Sequence, residues 1–156
     1  MGDRAFERTV IRDTPQRIFE VITNYAAYPQ WANNVKEVSV ERVDEDGRAG
    51  LVSYRAAAMG RSAAYVLEYF YGTNPLRVSW RLAEGDLVRR LDGRYVLTSL
   101  EDDAAGPRTE VTYELDVEIS MPMSGFLRRR AESRILRNAL EDLRCWVEDG
   151  AAAPTG

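Results

Sequence analysis

Histidine is absent from this 156-residue chain, and that omission removes much chemistry. With it go the Ser-His and Cys-His nucleophile pairs, the commonest general base and the commonest zinc ligand. The single cysteine, Cys145, cannot form a disulfide within the chain. It stands beside Trp146 with no neighbour to lower its pKa, so it reads as a buried structural thiol. Glycine-rich phosphate loops are missing: neither G-x-G-x-x-G nor G-x-x-x-x-G-K occurs. No apolar run approaches the roughly 20 residues needed to cross a bilayer. Met1-Gly2-Asp3-Arg4 leads into a strand pattern rather than a charged-then-apolar signal segment, so the expected compartment is the cytoplasm. Lysine is nearly absent too. Lys36 is alone and arginine supplies the remaining positive charge, which with abundant alanine points to a GC-rich genome. The net charge of −4 and the pI near 5.0 disfavour nucleic acid as a partner. No cofactor and no metal is expected.

What is present is alternation. Val111, Tyr113, Leu115, Val117 and Ile119 fall on one face of a strand, and Thr112, Glu114, Asp116 and Glu118 on the other. That pattern belongs to an antiparallel strand with one wet face. Similar segments precede it at 5–12, 35–44, 50–58, 62–71, 76–83 and 87–100, with Asp92-Gly93 marking a bend or bulge inside the last of these. Thr14 and Pro15 open a short helix over about 15–23, and Asn24 is expected to cap a second one that ends before Pro29. Residues 125–148 form a closing helix about 36 Å long, whose buried stripe is read as Leu127, Ala131, Ile135, Ala139, Leu143 and Val147, widened by Leu136 and Leu140. Residues 1–149 are expected to form one domain, with 150–156 a disordered tail.

The more apolar alternates are expected to face that helix. They are Val38 and Val40; Val52, Tyr54 and Ala56; Tyr65, Leu67, Tyr69 and Tyr71; Val78, Trp80 and Leu82; Gly93, Tyr95 and Leu97; and Tyr113 and Leu115. The face is rich in tyrosine. A hydroxyl taken into a dry interior costs about 1–3 kcal/mol unless it finds a partner. These hydroxyls are expected to meet each other, water or a ligand, although packed core rings with hydroxyls at the rim would satisfy the same pattern.

Several segments resemble the SRPBCC superfamily, the START and birch-pollen-allergen helix-grip proteins. They are Thr14-Pro15-x-x-Ile18-Phe19-x-Val21-Ile22, Asn24-Tyr25-x-x-Tyr28-Pro29-x-Trp31, Val78-Ser79-Trp80-Arg81-Leu82-x-Glu84-Gly85 and Asp92-Gly93-x-Tyr95-x-Leu97. Thr109-Glu110-Val111-Thr112-Tyr113-Glu114-Leu115 and Met121-Pro122-Met123-x-Gly125-Phe126-Leu127-Arg128-Arg129 extend the likeness to the polyketide cyclase/dehydrase and lipid-transport branch, and within it to small actinobacterial members. The resemblance implies an α+β helix-grip fold: a curved antiparallel sheet of about seven strands wrapped on a long C-terminal helix, with two short helices after strand 1. Asn24 stands where the family often carries Asp, and the histidines associated with the aromatase/cyclases have no counterpart.

The expected function is binding or transport of a hydrophobic small molecule (lipid, isoprenoid or polyketide-like) in an internal cavity. The lining expected for it is Tyr54, Tyr65, Leu67, Tyr69, Trp80, Leu82, Tyr95, Leu97, Tyr113, Leu115, Leu127, Ala131 and Ile135. Cyclisation or dehydration of a poly-β-ketone is the enzymatic alternative, and no catalytic set is assigned. Tyr65, Tyr69 or Tyr113 as acids and Arg89 on an inward register are the only candidates, with Glu68, Glu114 and Asp116 expected to face outward. Met121, Met123, Phe126 and Leu127 form either a flexible apolar entrance or a packed hinge. Arg128, Arg129 and Arg130 offer transient contact with a membrane surface, or a solvated helix face paired with Glu132, Glu141 and Asp142. The assembly expected is a monomer or homodimer. An interaction protein, using the helix face or a sheet edge, is a third reading.

Overall fold

The computed structural model describes residues 5–58, 61–120 and 123–149. Its elements are β1 (Ala5–Ile11), α1 (Pro15–Thr23), a 3₁₀ turn (Tyr25–Ala27), α2 (Tyr28–Trp31), β2 (Val35–Val43), β3 (Ala49–Ala58), β4 (Arg61–Thr73), β5 (Leu76–Gly85), β6 (Val88–Asp103), β7 (Gly106–Ile119) and α3 (Gly125–Asp149). The expected α+β helix-grip fold is present. The seven strands form one antiparallel sheet in the order β1-β7-β6-β5-β4-β3-β2. Consecutive strands from β2 to β7 are hairpin neighbours, and β1 returns to pair with β7. Helix α3 lies across β1 and β7, while α1 and α2 pack between the sheet and α3. The expected tail, 150–156, lies outside the described residues, as do Met59 and Gly60 of the β3–β4 turn.

Local chemistry explains most boundaries. The Thr14 hydroxyl accepts from the Arg17 backbone N–H at 3.2 Å, and Pro15 follows where its missing N–H costs nothing. Asn24 makes no side-chain cap, contrary to expectation. The 3₁₀ turn itself follows Asn24 and ends before Pro29 as expected, and Pro29 lies in the first turn of a further helix, α2. The bend expected at Asp92-Gly93 takes another form. Both residues pair regularly with Asp116 and Leu115 of β7, but the β5–β6 ladder ends at Trp80–Gly93. Beyond it the Asp92 carboxylate accepts from the Leu82 N–H at 3.1 Å. The bulges of β6 fall instead between Val88 and Arg90 and between Leu100 and Asp103. The first of these puts Val88 inside and leaves Arg89 exposed, so the expected inward register of Arg89 is wrong.

The buried stripe of α3 also differs from its expected position. Glu132, Leu136, Leu140 and Leu143 are buried, whereas Leu127 is 53% exposed. A ladder of four-residue steps over-rotates by about 40° per step, so one drawn from Leu127 to Val147 winds about 200° round the helix. A straight face must mix threes and fours, and Leu127 stands roughly 180° from Leu136. Ion pairs and hydrogen bonds hold the grip closed. The Asp142 carboxylate accepts from the Asn33 backbone and side-chain N–H groups, each at 3.1 Å. Glu148 accepts from the Arg12 N–H at 3.0 Å, and the Arg12 guanidinium reaches Asp103 at 2.9 Å. Strand β2 is an edge strand that reaches beyond the cover of the helices. Val38 is accordingly half-buried and Val40 exposed.

Candidate functional site

Strand register assembles the aromatic face. Tyr54 stands opposite Tyr65, Tyr69 opposite Trp80, and Tyr95 opposite Tyr113. Trp80 stands opposite Gly93, whose missing side chain leaves room for the indole. The rings then touch in sequence. Tyr95 and Tyr113 stack with centroids 4.5 Å apart, and Trp80 lies against both at 5.6 and 5.8 Å. Tyr69 meets Trp80 at 5.8 Å and Tyr25 at 4.5 Å, and Tyr54 stacks on Tyr65 at 5.4 Å. From the helical connection, Tyr28 touches Tyr25, Trp31 and Tyr54.

The hydroxyls divide into two groups. Tyr54 and Tyr69 share a hydrogen bond of 2.5 Å, and Tyr25 and Tyr71 share one of 2.9 Å. Tyr71 also donates to the Ala49 carbonyl, and Tyr28 to the Ile22 carbonyl. The hydroxyls of Tyr65, Tyr95 and Tyr113 have no hydrogen-bond partner among the described residues. Trp31 Nε1 is the one fully enclosed side-chain polar atom without a partner among them, so these three hydroxyls must each still touch a water-sized space. They are also close enough to feel one another: a charge on Tyr113 would be opposed by Tyr95 and Tyr65.

Burial raises the pKa of all eight tyrosines above the ordinary value of 10, with neighbouring tyrosines adding to the effect at most of them. At Tyr65 it is pushed up to about 12, by burial alone. At neutral pH the site therefore presents un-ionised O–H groups. They are poor general acids and good hydrogen-bond donors. Because Tyr54 and Tyr69 satisfy each other, Tyr54→Phe is expected to cost about 1–2 kcal/mol by stranding the Tyr69 hydroxyl. The Tyr54→Phe/Tyr69→Phe double variant should cost less than the sum of the singles, and a double-mutant cycle in urea reads the difference.

One buried side chain is a carboxyl group. Glu132, 4% exposed, faces β7 from α3, and its Oε2 accepts from the Val117 N–H at a long 3.4 Å. Burial raises its pKa, while the Val117 N–H, Arg128 and Arg129 oppose the rise. Val117 is two inward positions along β7 from Tyr113, so the carboxylate lies roughly 13 Å from the stacked tyrosines along the strand.

The expected lining is largely brought together. Tyr54, Leu67, Tyr69, Trp80, Tyr95, Leu97, Tyr113 and Leu115 are buried in one cluster, and Tyr65, Leu82 and Ile135 pack against it half-buried. Ala131 is half-buried outside that cluster, and Leu127 faces away from it. Phe126 is 63% exposed; Met121 and Pro122 lie outside the described residues. Glu132 does not pair on a solvated face as expected. Cys145 is half-buried rather than buried, and its thiol lies 3.5 Å from Glu141. Burial and Glu141 hold the pKa of that thiol up. Glu68, Glu114 and Asp116 do face outward, paired with Arg81, Arg94 and Arg90.

Sequence reasoning missed Tyr25, Tyr28 and Trp31 as members of the ring cluster. It also missed Glu132, the one acidic residue at the i−4 position of a Leu136–Leu140 ladder. Clefts open on the surface among the described residues. One of about 430 Å³ lies between β1 and α3, and one of about 170 Å³ lies beside Phe19, Arg48 and Tyr71. No group of His, Cys, Asp and Glu among the described residues could hold a metal ion.

Comparisons with known proteins agree with this architecture. No curated protein matches the chain by sequence. A START superfamily protein from Mycobacterium smegmatis superposes with a TM-score of 0.86 at 21% identity, covering 95% of this chain and 99% of that one. A protein from Thermus thermophilus gives 0.70 at 20% identity, over 99% and 100% of the two chains. An aromatase/cyclase from Streptomyces sp. R1128 gives 0.70 at 12% identity, over 97% and 94%. At these identities the likeness is one of fold. The family model described as polyketide cyclase/dehydrase and lipid transport matches residues 12–144. The chain therefore belongs to the polyketide cyclase/dehydrase and lipid-transport family of the SRPBCC superfamily.

Proposed function

We propose that the chain binds an elongated hydrophobic molecule (a lipid, isoprenoid or polyketide-like compound) between the sheet and α3. The oxygen-bearing part of the guest would lie at Tyr65, Tyr95 and Tyr113. The observation that carries this reading is that set of three partnerless, un-ionised hydroxyls in an aromatic cluster whose other tyrosine hydroxyls all find partners. A guest carbonyl or hydroxyl would supply the missing acceptor. Leu115 and Val117 make an apolar surface about 13 Å long on β7, between Tyr113 and the point where Glu132 of α3 meets the strand.

The test is titration of the purified protein with a long-chain fatty acid, a quinone and an anthraquinone. Micromolar uptake of at least one is expected. Tyr95→Phe/Tyr113→Phe should weaken it about tenfold, the equivalent of two modest hydrogen bonds. Failure of all three ligands to bind, or equal binding by the variant, refutes the reading. Native mass spectrometry of protein from its own host would identify the guest.

A second reading, cyclisation or dehydration of a poly-β-ketone, is favoured by one observation. Glu132 is a buried carboxylate with a raised pKa, the property wanted in a general base. The hydroxyls would polarise substrate carbonyls without transferring a proton. This reading requires turnover that Glu132→Gln abolishes. Binding unaccompanied by turnover leaves the carrier.

A further inference from the structure

Helix α3 carries its charges in the same sense as its own dipole, so they add to it rather than offset it. Arg128, Arg129 and Arg130 follow directly on its first turn, the last turn holds Glu148 and Asp149, and neither end has the complementary sign. A helix is stabilised by acidic groups at its N-terminus and basic groups at its C-terminus, so helix stability does not account for this arrangement. The first sixteen residues of α3, 125–140, contain one acidic side chain, Glu132, and it is buried against β7.

Helical phase sorts the arginines. Measured from the buried Leu136, Phe126, Arg137, Arg130, Arg134 and Leu127 fall at roughly 80°, 100°, 120°, 160° and 180°, a continuous outer face. Arg128 and Arg129 fall toward the inner side, where both act on Glu132. On the outer face Phe126 is 63% and Leu127 53% exposed, and all three arginines are exposed. Arg130, Arg134 and Arg137 form no salt bridge among the described residues. Arginines elsewhere commonly do: Arg12 pairs with Asp103, Arg81 with Glu68, Arg94 with Glu114 and Arg144 with Glu141. The face ends at Glu141, which is taken by Arg144.

We propose that this face, Phe126, Leu127, Arg130, Arg134 and Arg137, docks the protein on an anionic lipid bilayer. The two bulky apolar side chains at the helix entrance would enter the headgroup region, and the three guanidinium groups behind them would meet lipid phosphates. A nucleic acid uses the guanidinium groups but leaves Phe126 and Leu127 without a role, and it meets repulsion from a chain of net charge −4. A bilayer meets the basic face alone. Docking here sets the N-terminal half of α3, whose opposite side holds Glu132 against β7, at the membrane.

The test is co-sedimentation of the full chain with vesicles of phosphatidylcholine alone or mixed with phosphatidylglycerol. Binding to the phosphatidylglycerol vesicles only, released by molar salt, is expected. Arg130→Glu/Arg134→Glu/Arg137→Glu should lower partitioning at least about tenfold. Phe126→Ser/Leu127→Ser should lower it several-fold (about three- to tenfold by loss of apolar insertion) while keeping the salt dependence. Equal binding to both vesicle types, no binding to either, or wild-type partitioning by both variants overturns the proposal. Retention on duplex DNA in place of vesicles does so as well. The vesicle assay makes no use of an interior guest, so this proposal and the interior-binding reading fail separately.

Discussion

Titrated with alkali, the folded protein is expected to show no tyrosinate absorbance near pH 10, where tyrosine ordinarily ionises. The signal should then appear in one cooperative step together with loss of near-ultraviolet circular dichroism. The cause is that every tyrosine has a raised pKa in the fold. An acid whose folded pKa lies above its unfolded pKa contributes stability that is whole below about pH 10 and falls as pH rises further. Each such group costs about 1.4 kcal/mol per pH unit once the unfolded chain ionises and the folded one does not. Setting aside the half-exposed Tyr71, the remaining seven of eight tyrosines make the slope roughly 10 kcal/mol per unit. That matches a typical domain stability of about 5–15 kcal/mol, so unfolding is expected near pH 11. In strong denaturant all eight should titrate together near pH 10. Stepwise ionisation with the circular dichroism intact would show that the hydroxyls are not enclosed as described.

Gly93→Ala is expected to destabilise the fold by about 2–3 kcal/mol, which lowers the melting temperature by roughly 5–10 °C. A Cβ on Gly93 would lie 2.7 Å from the Glu114 carbonyl oxygen and 2.7 Å from Trp80 Cζ2. The first is strand backbone and the second is the wall of the aromatic cluster, so neither yields cheaply. Gly72→Ala is the control. There the atoms nearest a Cβ are the guanidinium end of Arg77, which is held by one hydrogen bond to the Pro75 carbonyl and can swing away. Its cost should stay within about 1 kcal/mol, the scale of ordinary surface changes. Trp80→Leu in the Gly93→Ala background should recover part of the loss, because it removes one of the two collisions. Equal melting of the two glycine variants would contradict the seating of Trp80 over Gly93.

The inward aromatic face was legible in the sequence because side chains on a strand alternate with period two, so Tyr54, Tyr69, Trp80, Tyr95 and Tyr113 announce their side. That reading fails where the period breaks. The bulge at Val88 and Arg90 adds a residue and turns Arg89 outward. Val40 fails for another reason: its alternation is intact, but its edge strand has no layer above it. On α3 the error was one of angle, since a ladder drawn only in fours leaves the buried face before it reaches Leu127. Tyr25, Tyr28 and Trp31 sit in a 3₁₀ turn and a four-residue helix, too short to display a periodic face. Glu132 was misplaced because a carboxylate is assumed to seek water, and nothing in a single sequence marks the one that does not.

The pairing of β1 with β7 also governs the order in which the chain can be completed during synthesis. Ala5 finds its partner at Leu115, and Arg12 is held by Asp103 and Glu148. The first strand therefore leaves the ribosome about a hundred residues before β7 can receive it. The meander from β2 to β7 makes its contacts between neighbours and can form as it emerges. The turn and helix that carry Tyr25, Tyr28 and Trp31 can meet Tyr54, Tyr69 and Tyr71 of the meander as it forms, and the far end of the chain adds the last clasp at Asn33 and Arg12. In the nascent protein the opening strand thus waits unpaired, and closing the grip is the last act of folding.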